Sequence, residues 1–314
     1  PPGLELGWVF SDLSRLKMTA GQSEAAIAWG ERALPIAERF DDAGLLAHAL
    51  NNLGAAKLEL GDEDGRALLL RSLAVARAAN LEEHAGRAYI NLSCRALEAF
   101  QLAEAERWID EGIGYTLDHD VETYRLCLES HRPYQLFHQS RWSAAADAAV
   151  ALLQRPDLSP LYRLGTLIVL GRTRARRGDP EADAALADAL ALATSPLDLA
   201  SVHMAQLEAA LLAGNRQHGE TELRAARAAA DGLKDPWLAG ELVHLQRLLE
   251  PNAEPPLNIA VPYALQLAGD WAGAAANWTA LGCPYEAARA LAGSDDETAL
   301  RQALTEFDRL GARP

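Results

Sequence analysis

The chain is short of positive charge. Its 29 Lys and Arg stand against 44 Asp and Glu, a formal net charge of −15 over 314 residues. So acidic a surface repels phosphate backbones, and direct nucleic-acid binding is not expected of it. Cysteine is scarce as well. Cys94, Cys127 and Cys283 are odd in number and none has C-x-x-C spacing. That argues against a disulfide framework and for a reducing, cytoplasmic setting, with each thiol expected to be packed rather than nucleophilic. Long apolar runs are missing too. The stretch from Leu164 to Leu170 is broken by Gly165 and Thr166, well under the roughly 18 residues that cross a bilayer. "PPGLELGW" lacks the basic-then-apolar order of a signal peptide, so no membrane partner is expected. Aromatics make up only 6%. β-branched residues are few, whereas Ala and Leu abound, which favours helix over sheet.

The signatures of several chemistries are also absent. There is no G-x-x-x-x-G-K-[ST] phosphate loop, no G-x-S-x-G elbow and no H-E-x-x-H. The "GIG" at Gly112–Gly114 lacks a third glycine and follows a helical pattern, so it is no dinucleotide fingerprint. His131 and His138 could share a helix face, but Pro133 lies between them and no third ligand is apparent. No catalytic, cofactor-binding or metal-binding residue is therefore expected, and the chain reads as non-enzymatic. "RTRARRGD", from Arg172 to Asp179, is the one basic cluster. It could meet an anion or a neighbouring domain, and the simpler reading is an exposed run.

What is present is a repeat. "TAGQSEAAIAWGERAL", "ELGDEDGRALLLRSL", "RRGDPEADAALADAL", "LAGNRQHGETELRAA" and "LAGDWAGAAANW" place turns at Gly21, Gly61, Gly178, Gly214 and Gly269. Weaker copies put Phe100 and Ser140 at the same point. Successive turns are 36 to 40 residues apart, then 55 across the Pro-rich "EPNAEPPLN" from Glu250 to Asn258. One tight turn per such period is the mark of stacked helical hairpins. Glycine closes the first helix in the left-handed conformation, and Asp62, Asp179, Asn215 and Asp270 are expected to cap the second. Five residues beyond each turn come Ala26, Arg66, Ala105, Ala145, Asp183, Gly219 and Ala274. Five of the seven are small, as a helix crossing needs, and Arg66 and Asp183 suggest shifted registers. Ser294 and Glu297 form a capping-box pattern before Leu300, Leu304, Phe307 and Leu310, which share a helical face ending at Gly311.

The expected fold is all-α: a right-handed α-solenoid of tetratricopeptide-like helix-turn-helix repeats, about seven to eight helix pairs or some sixteen helices. Residues 1–249 form the repeat array, 250–258 a Pro-rich linker, and 259–314 the closing helices. In such a solenoid the first helix of each pair lines the concave side. Aligned by turn, that face collects Trp8, Asp12 and Arg15, then His48, Asn51 and Asn52, then Arg87, Asn91 and Cys94, then Ser130, His131 and Tyr134. Asn52 and Asn91 share a register. Their amides could bond a ligand or peptide in the groove, or else the backbones of adjacent helices or water.

The run "PYALQLAGDWAGAAANWTALGCPYEAARALAGSDDETALRQALTEFDRLGARP", Pro262 to Pro314, resembles the segment closing the helical repeats of the large ATP-binding LuxR-type transcriptional regulators. Ala49 to Leu92 and Leu158 to Pro180 resemble the middle of the same family. The resemblance implies a larger bacterial protein, with an ATPase module before the repeats and a DNA-binding helix-turn-helix after them. It implies that these repeats sense a signal, either a small-molecule inducer or a regulatory protein or peptide, and relay it to the ATPase and helix-turn-helix domains of the same parent chain. The alternative is a free-standing tetratricopeptide scaffold or peptide-binding adaptor.

Overall fold

The structure is a computed structural model describing residues 3–313. Pro1, Pro2 and Pro314, at the outer ends of the stretches named above, lie outside them. Among the described residues there are seventeen α-helices and no strand. The chain divides into two compact units, Pro1–His131 and Arg132–Pro314. The first holds α1 (Leu4–Thr19), α2 (Ser23–Phe40), α3 (Ala43–Glu59), α4 (Asp64–Ala78), α5 (Glu82–Glu98), α6 (Leu102–Asp118) and the start of α7 (Glu122–His138). The second takes the end of α7, then α8 (Trp142–Leu153), α9 (Pro160–Arg177), α10 (Ala182–Leu192), α11 (Pro196–Leu212) and α12 (Arg216–Ala230). It continues with α13 (Pro236–Leu249), α14 (Val261–Leu267), α15 (Trp271–Ala280), α16 (Pro284–Leu291) and α17 (Glu297–Leu310). The unit boundary lies inside α7 beside Pro133, which has no N–H to give the helix. The Pro-rich 250–258 is a non-helical connection within the second unit.

Adjacent helices pack in pairs, α1 on α2, α3 on α4 and α5 on α6 in the first unit, and α9 on α10 and α11 on α12 in the second. First helices also neighbour one another, α1 with α3 and α3 with α5, as an α-solenoid of helical repeats requires. The seventeenth helix is α13, which has no partner of its own in this pairing. It fills the 55-residue gap together with the Pro-rich connection.

All seven turn positions read from the sequence have left-handed backbone. φ runs from 66° to 80° at Gly21, Gly61, Gly178, Gly214 and Gly269, and is 55° at Phe100 and 57° at Ser140. The next residue then donates its N–H to the carbonyl five residues back, Gln22 to Lys17 and Asp270 to Leu265, both at 2.9 Å. This satisfies a carbonyl that the helix end would leave bare. The connections between pairs use the same device at Asp41, Asn80 and Asp120, with φ of 52°, 52° and 55°. A left-handed residue thus recurs every 19 or 20 residues from Gly21 to Ser140. At Phe100 and Ser140 a side chain occupies a conformation costing about 1–2 kcal/mol. Burial of the phenyl ring, 7% exposed, offsets this at Phe100.

Two of the four expected caps form as read. Asn215 accepts from the His218 N–H at 3.2 Å, and Asp270 from the Gly273 N–H at 2.9 Å. Asp62 sits two residues before α4, accepting from Asp64 N–H and from Lys57 Nζ at 2.5 Å. Asp179 caps nothing. It pairs with Arg177 at 2.9 Å, and α10 starts only after Glu181, itself left-handed. The capping box at Ser294 does not form either. Asp296 caps α17, while Ser294 Oγ accepts from the Asp296 N–H. Of the four expected α17 positions Phe307 and Leu310 meet the core and Leu300 and Leu304 are exposed, while Ala303 between them is buried.

The crossings follow the small residues. Ala26, Ala105, Ala145 and Ala274 have no exposed surface. Where Arg66 stands, the register has slipped by one. A Cβ on Gly65 would lie 2.4 Å from the Gly54 carbonyl oxygen, and one on Gly54 2.7 Å from that of Gly65. α3 and α4 therefore touch backbone to backbone, and Arg66 turns outward to Gln101 at 2.6 Å and to Glu104.

The second unit carries a buried ionic network instead of an exposed basic run. Arg172 and Arg176, one turn apart on α9, point inward. Arg176 reaches Glu208 of α11 and Glu286 of α16, each at 2.8 Å. Arg172 bonds Glu208 at 2.7 Å and also Glu241 of α13. Arg289 bonds Glu286 at 2.9 Å. Tyr285 lies over the Arg176 guanidinium at 4.1 Å and edge-on to Trp142 at 5.1 Å, while its N–H donates to Ser140 Oγ at 3.2 Å. The "CPYE" segment is thus a clasp that fastens α16 to α8 and α9, elements more than a hundred residues earlier, while Arg289 reaches Glu208 of α11 at 3.7 Å. Burial pushes the carboxyls of Glu208 and Glu286 up, and the surrounding guanidinium ions outweigh it. Glu208 is held well below the usual carboxylate range and Glu286 at about 2.

Candidate functional site

In the first unit the expected groove residues come together on the shared face of α1, α3 and α5. Spacing explains why. Trp8, Asp12 and Arg15 follow one another at intervals of three and four, as do His48 and Asn52, and Arg87 and Asn91. The half-buried Trp8 ring lies 5.6 Å from His48 and 6.3 Å from His84, and the two imidazoles meet edge-on at 5.8 Å. Each ring comes from a different first helix.

Beneath these rings runs a line of polar contacts. Ser11 Oγ lies 2.6 Å from His48 Nδ1. Asn52 donates through Nδ2 to the Ser11 carbonyl at 3.0 Å, and its Oδ1 accepts from Arg87 at 2.9 Å. Further along, Ser93 Oγ lies 2.9 Å from His131 Nδ1. Each contact joins one first helix to the next, α1 to α3, α3 to α5 and α5 to α7. Asp12 and Arg15 pair at 3.8 Å, both substantially exposed.

The histidines are held neutral. Burial, then the charges of Arg87, His84 and Arg15, pushes His48 down to about 3. Burial alone takes His131 to about 4. Burial and Arg87 lower His84, and burial raises Tyr124. A neutral imidazole against a serine hydroxyl offers one donor and one acceptor without a charge.

The remaining expected residues divide. Asn52 has no exposed surface, and both its amide atoms are engaged by its neighbours, so it props the face instead of presenting to it. Asn91, in the same register, is part-buried. Asn51 is 1% exposed, and neither amide atom finds a partner among the described residues. Tyr134 belongs to the second unit, where it packs on His138 at 4.4 Å. Ser130 donates to the Cys127 carbonyl at 2.6 Å. Cys94 is part-buried with its thiol pushed up to about 12, chiefly by burial and then by Glu98, which keeps it from ionising.

Sequence reasoning missed Ser11, His84 and Tyr124. Ser11 and His84 each stand three residues from a member of the set, Trp8 and Arg87, which places them on the same helical face. Tyr124 was signalled by Gly86, where a Cβ would lie 2.9 Å from its ring. The surface left open for a ligand is Trp8, Asp12, Arg15, His84, Arg87 and Asn91. It combines an aromatic plate, neutral imidazole and paired charges, a mixture that suits a polar ligand with one apolar side.

Comparison with models of known protein families gives no match, and neither does comparison with curated proteins. Among the described residues no three His, Cys, Asp or Glu side chains group as metal ligands, and no helix is long and apolar enough to cross a membrane.

Proposed function

We propose that this chain is the signal-receiving repeat region of a bacterial LuxR-type ATP-binding transcriptional regulator. It takes a small polar inducer, or a segment of a regulatory protein, on the shared face of α1, α3 and α5. The observation that carries this reading is the line of contacts Ser11–His48, Asn52–Arg87 and Ser93–His131, which links successive first helices under a half-exposed Trp8. A ligand on that face changes the spacing of helices that are bonded to one another, and a repeat array passes such a change to its neighbours. The resemblance of Pro262–Pro314 to the segment closing the repeats of these regulators supplies the family. The clasp around Glu286 and Tyr285 gives that segment a structural task here.

Reading the coding gene on both sides of the chain tests the proposal. It expects a phosphate-loop ATPase encoded in frame upstream and a helix-turn-helix downstream. A frame that encodes neither would leave the free-standing adaptor in its place.

A further inference from the structure

Arg87, part-buried on the shared face of α1, α3 and α5, forms no ion pair among the described residues. Its one side-chain bond runs from Nη2 to the neutral Asn52 amide oxygen at 2.9 Å. A guanidinium carries five N–H donors, so most of this fork is unused. None of its nitrogens is sealed from solvent without a partner. Arg95, Arg125, Arg172 and Arg289, also part-buried, each meet a glutamate at 2.6 to 2.9 Å. The difference shows in their electrostatics. Burial lowers Arg87, and neither Tyr124 nor Asp12 restores it. Arg172 and Arg289, lowered by burial as well, are raised overall by their glutamates.

The nearby acids are committed elsewhere. Asp12 pairs with Arg15 at 3.8 Å, Asp42 accepts from the Leu45 N–H at 2.7 Å, and the exposed Glu83 acts on His84. Asn52, itself anchored to the Ser11 carbonyl at 3.0 Å, holds Nη2 in place, so the fork is oriented before any ligand arrives. His84, one turn before Arg87, lies 6.3 Å from the Trp8 ring, which offers a flat apolar plate on the same face. Burial lowers His48 and His84, so neither adds charge.

One open guanidinium among neutral rings calls for a single negative charge. A carboxylate supplies it and fits the fork through two parallel N–H···O bonds. A phosphate monoester carries about −1.5 to −2 at neutral pH and would leave charge unanswered near Asp12. Resting on the reading of this face as the ligand site, we propose that its ligand is a small aromatic carboxylate, held by Arg87 through its acid group and by Trp8 through its ring.

Calorimetric titration of the whole chain at about 150 mM salt tests this, with benzoate, indole-3-acetate, their neutral amides, acetate and phenyl phosphate. At least one aromatic acid is expected to bind, about tenfold or more tighter than its amide, acetate or phenyl phosphate. That comparison needs no variant. Arg87→Gln should erase the advantage of acid over amide, Arg87→Lys should keep part of it, and Trp8→Ala should weaken the acid about tenfold, with far-UV dichroism unchanged. Equal binding of acid and amide, both weakened by Trp8→Ala, would overturn the carboxylate and leave the face a ligand site. Acid binding undiminished in Trp8→Ala and in Arg87→Gln would overturn the proposal together with the reading beneath it. Absence of binding by both aromatic acids would overturn the proposal alone.

Discussion

Ser11 Oγ and His48 Nδ1 lie 2.6 Å apart, joining α1 to α3 across 37 residues, and Ser93 repeats the arrangement with His131 at 2.9 Å. The neutral ring can accept or donate through Nδ1, and burial holds both imidazoles in that neutral state. The folded values of about 3 and about 4 lie below the unfolded histidine value near 6.5. The unfolded chain therefore binds more protons, and stability must fall as pH drops from about 6.5 toward 4. Urea midpoints measured across that range are expected to decline. The decline should shrink in a His48→Asn, His131→Asn double variant. An identical slope in the variant would mean that other groups set it.

Asn51 presents the opposite case, a buried amide with no partner. Replacing it with leucine of similar shape removes an unsatisfied donor and acceptor, and about 1–2 kcal/mol of added stability is expected. Equilibrium denaturation checks this directly. A loss of stability would show that the amide is satisfied in solution and would return Asn51 to the ligand-binding candidates.

In the second unit, truncating one partner of the ionic network strands the others. Glu286→Ala leaves Arg176 and Arg289 short of a carboxylate in the interior and should cost about 3–5 kcal/mol. For the intact chain the sign follows from the depressed carboxyl. Glu286, near 2 when folded, contributes stability fully above the unfolded glutamate value near 4.5 and loses it as pH falls toward 2. Thermal melts of the variant should start lower and depend less on pH below 4.5.

The helix crossings can be tested by size. Gly65→Ala puts a methyl into the Gly54 carbonyl, and Ala274→Trp overfills a site with no exposed surface. Each is expected to destabilise by about 1–3 kcal/mol or more. Gly114→Ala serves as the comparison, since nothing lies within 4 Å of its Cβ position. An unshifted melting curve for either of the first two would place the crossing elsewhere.

The turn glycines were legible because positive φ selects glycine so strongly that a few copies expose the period. Phe100 and Ser140 could be placed only by counting from them, and Asp41, Asn80 and Asp120 were not seen at all. A polar residue at a helix end is common and does not announce its backbone. The inward face of the first helices was legible from three- and four-residue spacing. Whether Asn52 met a ligand or a neighbouring backbone was not, since that depends on the distance between helices. The ionic network escaped for a related reason. Arg172, Glu208, Glu241 and Glu286 lie far apart in the chain, and each alone looks like an ordinary charge on a solvated helix.

The most direct test of the account is binding at Trp8 and Arg87. Small polar metabolites and peptides are screened against the whole chain by thermal shift, and each hit is re-measured by calorimetry on a Trp8→Ala, Arg87→Gln variant. The account predicts hits whose affinity drops by about thirtyfold or more, some 2 kcal/mol, in the variant, with helix content unchanged. Hits that all bind the variant as tightly as the original chain would contradict it.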